Sequence, residues 1–293
     1  MPIPQGTATV EPMTQHSHQH PSGGQAHHHE AGLADLLDLD AEVLGPYLDE
    51  VTEWVERHAP DVPHKVVDVG AGTGTGSLAL TRRFRAAELV AIDKSAFMLD
   101  RLRTTARDQG LDDRLRVVQA DLDVAWPDVG AADIVWAASS LHEFADPDRV
   151  LRDAYAALNP GGLLVVVEMD ALPHFLPDYI GLGRPGLESR CHEAVAQANW
   201  NSHPNWRPHL EQAGFEIAAE RSFSIEVDPA PPNTGRYARA YLHRVRTALD
   251  DRLAADDLNT LDRLLTDDNP DALLRRRDLT VRGSRTAWAA RRP

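Results

Sequence analysis

Residues 66–80 read VVDVGAGTGTGSLAL, a β-branched run joined to a helix-compatible run by a turn carrying Gly70, Gly72, Gly74 and Gly76. Val side chains are stiff at χ1 and suit a pleated strand, whereas glycine reaches positive φ without steric cost. A strand–turn–helix start of this kind constrains the chain more than any other feature. It belongs to open parallel sheets, in which ligands bind outside the carboxyl ends of the strands. A turn this rich in glycine also implies that a ligand approaches the main chain closely.

The residues beyond the turn support that sheet. After KVVDVG a helix is predicted from Gly74 to Phe84, a strand over AELVAID (87–93), and a helix from Ala96 to Gln109 stopped by Gly110. Further strands are predicted at LRVVQAD (115–121), ADIVWAAS (132–139) and LLVVVEM (163–169). The helix DPDRVLRDAYAAL lies between the last two and ends at Asn159-Pro160-Gly161-Gly162. Continuously apolar strands alternating with helices imply a parallel sheet covered on both faces. A later helix RPHLEQAGF, a strand at 216–227 and a final strand in DLTVRGSRTAWAARR complete the pattern. The expected fold is therefore α/β: a Rossmann-like three-layer α/β/α sandwich with a mostly parallel seven-stranded sheet whose last strand is antiparallel.

Three segments flank or interrupt this frame. Residues 1–32 are rich in Gln, His, Ser, Gly and Pro and lack hydrophobic periodicity, so a disordered tail is expected. Its histidines (His16, His18, His20 and His27–His29) would bind divalent metal incidentally, and no catalytic metal site is inferred. Residues 33–62 read as N-terminal helices broken at Gly45-Pro46, leaving 63–293 as the main domain. Within it, residues 228–277 read as a helical insert or lid.

Composition narrows the partners. The formal charge is −15, which would repel a phosphate backbone, so nucleic acid is not expected. No apolar run reaches the length of a membrane span, and Cys191 is the single cysteine, which excludes an internal disulfide. A cytoplasmic location fits both readings, and a homodimer is left open.

The turn itself discriminates among ligands. A dinucleotide fingerprint needs glycine where Thr75 stands, and a P-loop needs a lysine that is absent. The pattern is D-x-G-x-G-x-G, with Asp68 two residues ahead of Gly70. Together with LVAID, VVQADL, ADIVWAASSLHEF and LNPGGLLVVVE in order, VVDVGAGTG resembles the successive motifs of class I S-adenosylmethionine-dependent methyltransferases. The resemblance is to those acting on small molecules, including quinone-biosynthesis enzymes. It is strong over about residues 66–170 and holds in outline for the last two strands.

That resemblance implies S-adenosylmethionine as cofactor and assigns roles. Asp68, Gly70, Ala71, Gly72, Thr73 and Gly74 would form the turn against its methionine portion and ribose. Asp93, with Lys94, Ser95 and Met98 after it, would accept from the ribose hydroxyls. Ala120, Asp121 and Leu122 would meet the adenine, and Ala137, Ala138 and Ser139 the aminocarboxylate. On residue chemistry alone, Asp93 could cap the following helix and Asp121 could be an ordinary turn residue, each as the lesser reading.

The acceptor is less legible. His142, Glu143 and Glu168 are the candidate catalytic residues, with Asp170 and His174 nearby; each could instead pair with a neighbour or support the loop. Phe175, Tyr179, Trp200, His203, Trp206, Tyr237 and Tyr241 could form core or line an enclosed apolar pocket. The expected activity is methyl transfer to oxygen or nitrogen, with carbon as a third option, on a small apolar or aromatic molecule. Two alternatives stand beside it: cofactor binding without transfer, and a metal-responsive binding protein using the histidine tail.

Overall fold

The computed structural model describes residues 23–198, 205–227 and 230–293. Its strands are β1 (Lys65–Val69), β2 (Glu88–Asp93), β3 (Leu115–Gln119), β4 (Ala132–Ala138), β5 (Leu158–His174), β6 (Glu216–Val227) and β7 (Val281–Arg291). The helices are α1 (Gly23–Val43), α2 (Gly45–Glu56), α3 (Thr75–Arg83), α4 (Ala96–Asp108), α5 (Pro147–Ala157), α6 (Leu187–Gln197), α7 (Arg207–Gln212), α8 (Thr234–Ala248) and α9 (Ala255–Leu265).

The seven strands form one sheet in the order β3-β2-β1-β4-β5-β7-β6. Pairing is parallel from β3 to β5, and β7 inserts between β5 and β6, antiparallel to both. Successive strand residues face opposite sides, which is why the apolar runs are unbroken. Val66, Leu89, Ile134 and Val165 pack on one face with α2, α3 and α4; Val67, Val90, Val135 and Val166 pack on the other with α5 and α7. This is the expected Rossmann-like sandwich. Strand order reverses between β1 and β4, so the crevice expected to hold a ligand lies at their carboxyl ends.

A third apolar cluster sits apart from these two. It joins the end of α1 to α6, α8 and α9, through Leu39, Val43, Leu187, Cys191, Leu242, Val245, Leu261 and Leu264. The segment between β6 and β7 does contain two helices, α8 and α9. Helix α1 begins at Gly23, within the stretch expected as tail, while His16, His18 and His20 fall outside the described residues, as do Trp200 and His203. β5 also runs five residues past Met169, because β7 continues to pair with it as far as His174↔Arg282. Among the described residues no helix is long and apolar enough to cross a membrane, and no cluster of three or more His, Cys, Asp or Glu is arranged to hold a metal ion.

Candidate functional site

A cavity of about 450 Å³ opens at the carboxyl ends of β1, β2, β4 and β5. One end is built by the glycine turn. Gly70 N–H and Ala71 N–H donate to the Ile92 carbonyl (2.9 and 3.0 Å), which folds the turn onto the end of β2. Gly74 then closes it at φ +89° as the residue preceding α3.

The structure revises why these positions are glycine. A Cβ on Gly70 would lie 2.6 Å from the Ser140 Cβ, one on Gly74 2.0 Å from Leu102 Cδ1, and one on Gly76 2.7 Å from the Trp136 indole nitrogen. The chain itself occupies the space beside each of them. Close internal packing and positive φ therefore account for these glycines before any ligand does. Gly74 does not line the cavity; Gly70, Ala71, Gly72, Thr73, Thr75 and Gly76 do.

Asp93 sits at the end of β2 with both carboxylate oxygens engaged by main chain. Gly72 N–H donates to Oδ2 and Ser95 N–H to Oδ1, each at 2.8 Å. A carboxylate oxygen has two acceptor sites, so each retains capacity for a ligand hydroxyl. The duller role expected of Asp93 belongs to its neighbour: Ser95 caps α4 by accepting from Met98 N–H at 3.2 Å. Lys94, Ser95, Met98, Ala120, Asp121 and Leu122 line the wall beyond Asp93. Asp121 also accepts from Asp123 N–H at 3.0 Å, a turn contact that coexists with its place on the wall.

Asp68 is 3% exposed and accepts from the Ser77 hydroxyl at 2.5 Å, which ties β1 to the first turn of α3. Burial pushes its carboxyl up to about 7, against the Ser77 hydrogen bond. Across the cavity, Ser139 adopts φ +50°, unusual for a residue with a side chain, and its N–H donates to the Val167 carbonyl at 2.8 Å. The Ser140 hydroxyl donates to the Val69 carbonyl at 2.8 Å. Ala138, Ser139 and Ser140 line the cavity, whereas Ala137 is buried on the opposite face, packed with Val67 and Val135, as strand alternation requires.

The candidate catalytic residues do not act alike. His142 and Glu143 line the cavity. Glu168 does not: it is 1% exposed and lies beneath them, accepting from Leu141 N–H at 3.1 Å and contacting His142 Nδ1 at 3.0 Å. It holds the 141–143 turn in place. Desolvation depresses the His142 imidazolium, but hydrogen bonds to Glu143 and Glu168, and then their charges, outweigh it and lift the group to about 9. The Glu143 carboxyl is correspondingly lowered by the His142 hydrogen bond. Asp170 and His174, also expected near the acceptor, do not line the cavity.

The rest of the cavity is closed by α1 and α8. Leu33, Leu36 and Leu37 of α1 cover the glycine turn, with Leu37 Cδ1 only 3.2 Å from where a Gly72 Cβ would stand. Helix α1 is fastened by Glu30, which accepts from the Ser95 hydroxyl at 3.0 Å, and by Asp40, which accepts from Tyr237 OH (2.6 Å) and from buried Arg285 of β7 (2.7 Å). Met169, Leu172, Pro173, Tyr241 and Arg244 complete this end. Tyr237 and Tyr241 therefore do line a pocket, whereas Phe175 and Trp206 are fully buried core and Tyr179 is exposed. The apolar i, i+3, i+4 spacing of Leu33, Leu36 and Leu37 is the signal available for α1; it shows a buried face but not what the face covers.

Comparison with known proteins fits this geometry. The family model described as "Methyltransferase domain" matches residues 66–162, from the start of β1 into β5. Residues 66–162 are a methyltransferase domain. The chain is 38% identical over 112 residues to the demethylmenaquinone methyltransferase of Thermus thermophilus, covering 38% of this chain and 50% of the relative. It is 32% identical over 186 residues to the methyltransferase GfsG of Streptomyces halstedii, covering 63% of this chain and 64% of that one. The chain thus spans about half to two thirds of the length of these relatives. A crystal structure of a Bacillus halodurans C-125 protein assigned as a methyltransferase aligns over 83% of this chain and 98% of its own, at a TM-score of 0.51 and 19% identity, which shows a shared fold. The methyltransferase domain contains the glycine turn, Asp93, Asp121, His142 and Glu143. Glu168, α1 and α8 lie outside the matched residues.

Proposed function

We propose that the protein transfers the methyl group of S-adenosylmethionine to a small, largely apolar acceptor held between α1, α8 and the carboxyl end of β5. The observation that carries this is Asp93. Its carboxylate stands on the cavity wall beside a glycine turn with no basic side chain, and both of its oxygens keep acceptor capacity. A paired-hydroxyl ribose suits that arrangement, and Thr75, standing where a dinucleotide turn needs glycine, disfavours a pyrophosphate there.

The residues fit the cofactor in further respects. Asp121 presents a carboxylate to an exocyclic amine, and Leu122 an apolar surface to a ring. The bound cofactor would supply an activated methyl on a sulfonium, so the protein's share is alignment and exclusion of water. Helices α1 and α8 perform that exclusion, since their Leu33, Leu36, Tyr237 and Tyr241 roof the cavity.

His142 is better suited to orientation than to deprotonation. With its group at about 9 it is mostly imidazolium at neutral pH and has no free lone pair to accept a proton. It fixes Glu143 and carries positive charge toward the acceptor. Glu168 is a positioning residue that acts through His142.

The test is incubation of the protein with methyl-tritiated S-adenosylmethionine and a panel of phenols, hydroquinones, secondary amines and carboxylic acids. Transfer of label to one class by wild type, and its loss in Asp93→Ala, supports the reading. Binding of cofactor with no transfer to any class would count against it.

A further inference from the structure

The cavity wall contributed by α8 carries a guanidinium with no hydrogen-bonded or ion-paired counterpart among the described residues. Arg244, on α8, is half-buried and lines the cavity, yet it makes no hydrogen bond or ion pair with any described residue. Its neighbours on the same helix behave differently. Arg239 pairs with Asp267, and Arg246 with Asp250 and Asp262. The other arginine in the cavity, Arg285, is bound to Asp40. Leaving a guanidinium partly desolvated and unpaired is costly unless something completes its five-donor fork.

We infer that Arg244 binds a carboxylate carried by the acceptor, so that the substrate class is a small apolar monocarboxylic acid. This rests on the methyl-transfer reading. Three observations bear on it. One helical turn before Arg244, the hydroxyl of cavity-lining Tyr241 is buried without a hydrogen-bond partner, leaving a second donor available at this end. The lining of the same cavity includes apolar Leu33, Leu36, Met169 and Leu172, which suit the body of such an acid. The nearest competitor for Arg244 is Glu143, which is already engaged by His142 Nε2 at 3.4 Å.

The charge balance also selects the kind of anion. A planar carboxylate meets a guanidinium through two parallel hydrogen bonds. A phosphate dianion would bring a second negative charge close to Glu143 and Asp40, and the other cations of the lining are already offset, Arg285 by Asp40 and His142 by Glu143 and Glu168, while Lys94 acts on Glu143.

The experiment uses full-length protein saturated with S-adenosylhomocysteine. It is titrated calorimetrically with octanoate and with phenylacetate, and in parallel with octanamide and phenylacetamide. Wild type is expected to prefer at least one acid over its amide by about ten-fold or more, the order of one charge-assisted pair. Arg244→Met should level that preference while leaving S-adenosylhomocysteine affinity unchanged, and Arg244→Lys should retain part of it. Circular dichroism and a thermal melt establish that the variants are folded. Equal affinity for acid and amide, no binding of either acid, or a preference that survives Arg244→Met would each overturn the inference. The last outcome would mean that a group other than Arg244 recognises the carboxylate. Failure of wild type to bind S-adenosylhomocysteine would instead overturn the methyl-transfer reading itself.

Discussion

Replacing Glu168 with Gln perturbs the electrostatics beneath the cavity with almost no change in shape. The amide oxygen can still accept from Leu141 N–H, but the charge facing His142 disappears. Lifting the imidazolium from 6.5 to about 9 corresponds to roughly 3 kcal/mol of interaction in the folded state. Glu143 supplies part of that, so Glu168→Gln should cost about 2 kcal/mol near neutral pH. The sign with pH is fixed by linkage. A base whose group is raised on folding contributes stability that is fully present below its unfolded value and is lost as pH rises through its folded value. The gap between wild type and variant should therefore be full at about pH 6 and narrow above about pH 9, where wild type retains a buried carboxylate facing a neutral ring. Urea unfolding at both pH values measures the gap, and an NMR titration of the His142 ring measures its group directly. A gap that does not change with pH, or a ring titrating near 6.5, would refute the reasoning.

Other consequences are readily measured. Gly74→Ala should destabilise by about 2–4 kcal/mol, because the new methyl enters Leu102 and the backbone stands at positive φ; a denaturation midpoint unchanged from wild type would contradict this. Cys191 is fully buried and its thiol is pushed up to about 12, so at mildly alkaline pH it should resist a thiol reagent until the protein is denatured, and rapid labelling of native protein would show otherwise. Asp40→Ala should strand the Arg285 guanidinium in the interior and release α1, losing about 3 kcal/mol and raising amide exchange along that helix; exchange confined to α8 would argue that α1 is held by its leucines alone.

Much of the fold is legible in the sequence because its signals are local. Largely apolar, β-branched-rich runs in β1, β2, β4 and β5 read as strands covered on both sides, and the glycine turn after β1 marks the end of the sheet at which the cavity opens. Contacts made across long stretches of chain are a different matter. Asp40 and Arg285 meet although 245 positions separate them, and no local pattern marks either as a partner. Arg244 looks like its neighbours Arg239 and Arg246 in sequence; only the fold shows that theirs are paired while Arg244 has no ion pair among the described residues. The glycines mark the correct turn but for an incomplete reason, since Ser140, Leu102 and Trp136, all distant in sequence, fill the space beside them. Glu168 is expected on the cavity wall because it ends an apolar run, but its carboxylate is drawn under the 141–143 turn by the Leu141 N–H and the His142 ring.

The most direct test of the central claim is calorimetric titration of wild type and Asp93→Ala with S-adenosylhomocysteine. Wild type is expected to bind in the micromolar range, and the variant, still folded, to lose about a hundred-fold, as for removing an ionised acceptor from two ligand hydroxyls. Equal binding by both proteins would remove Asp93 from the site, and no binding by folded wild type would contradict the assignment of the glycine turn to this cofactor.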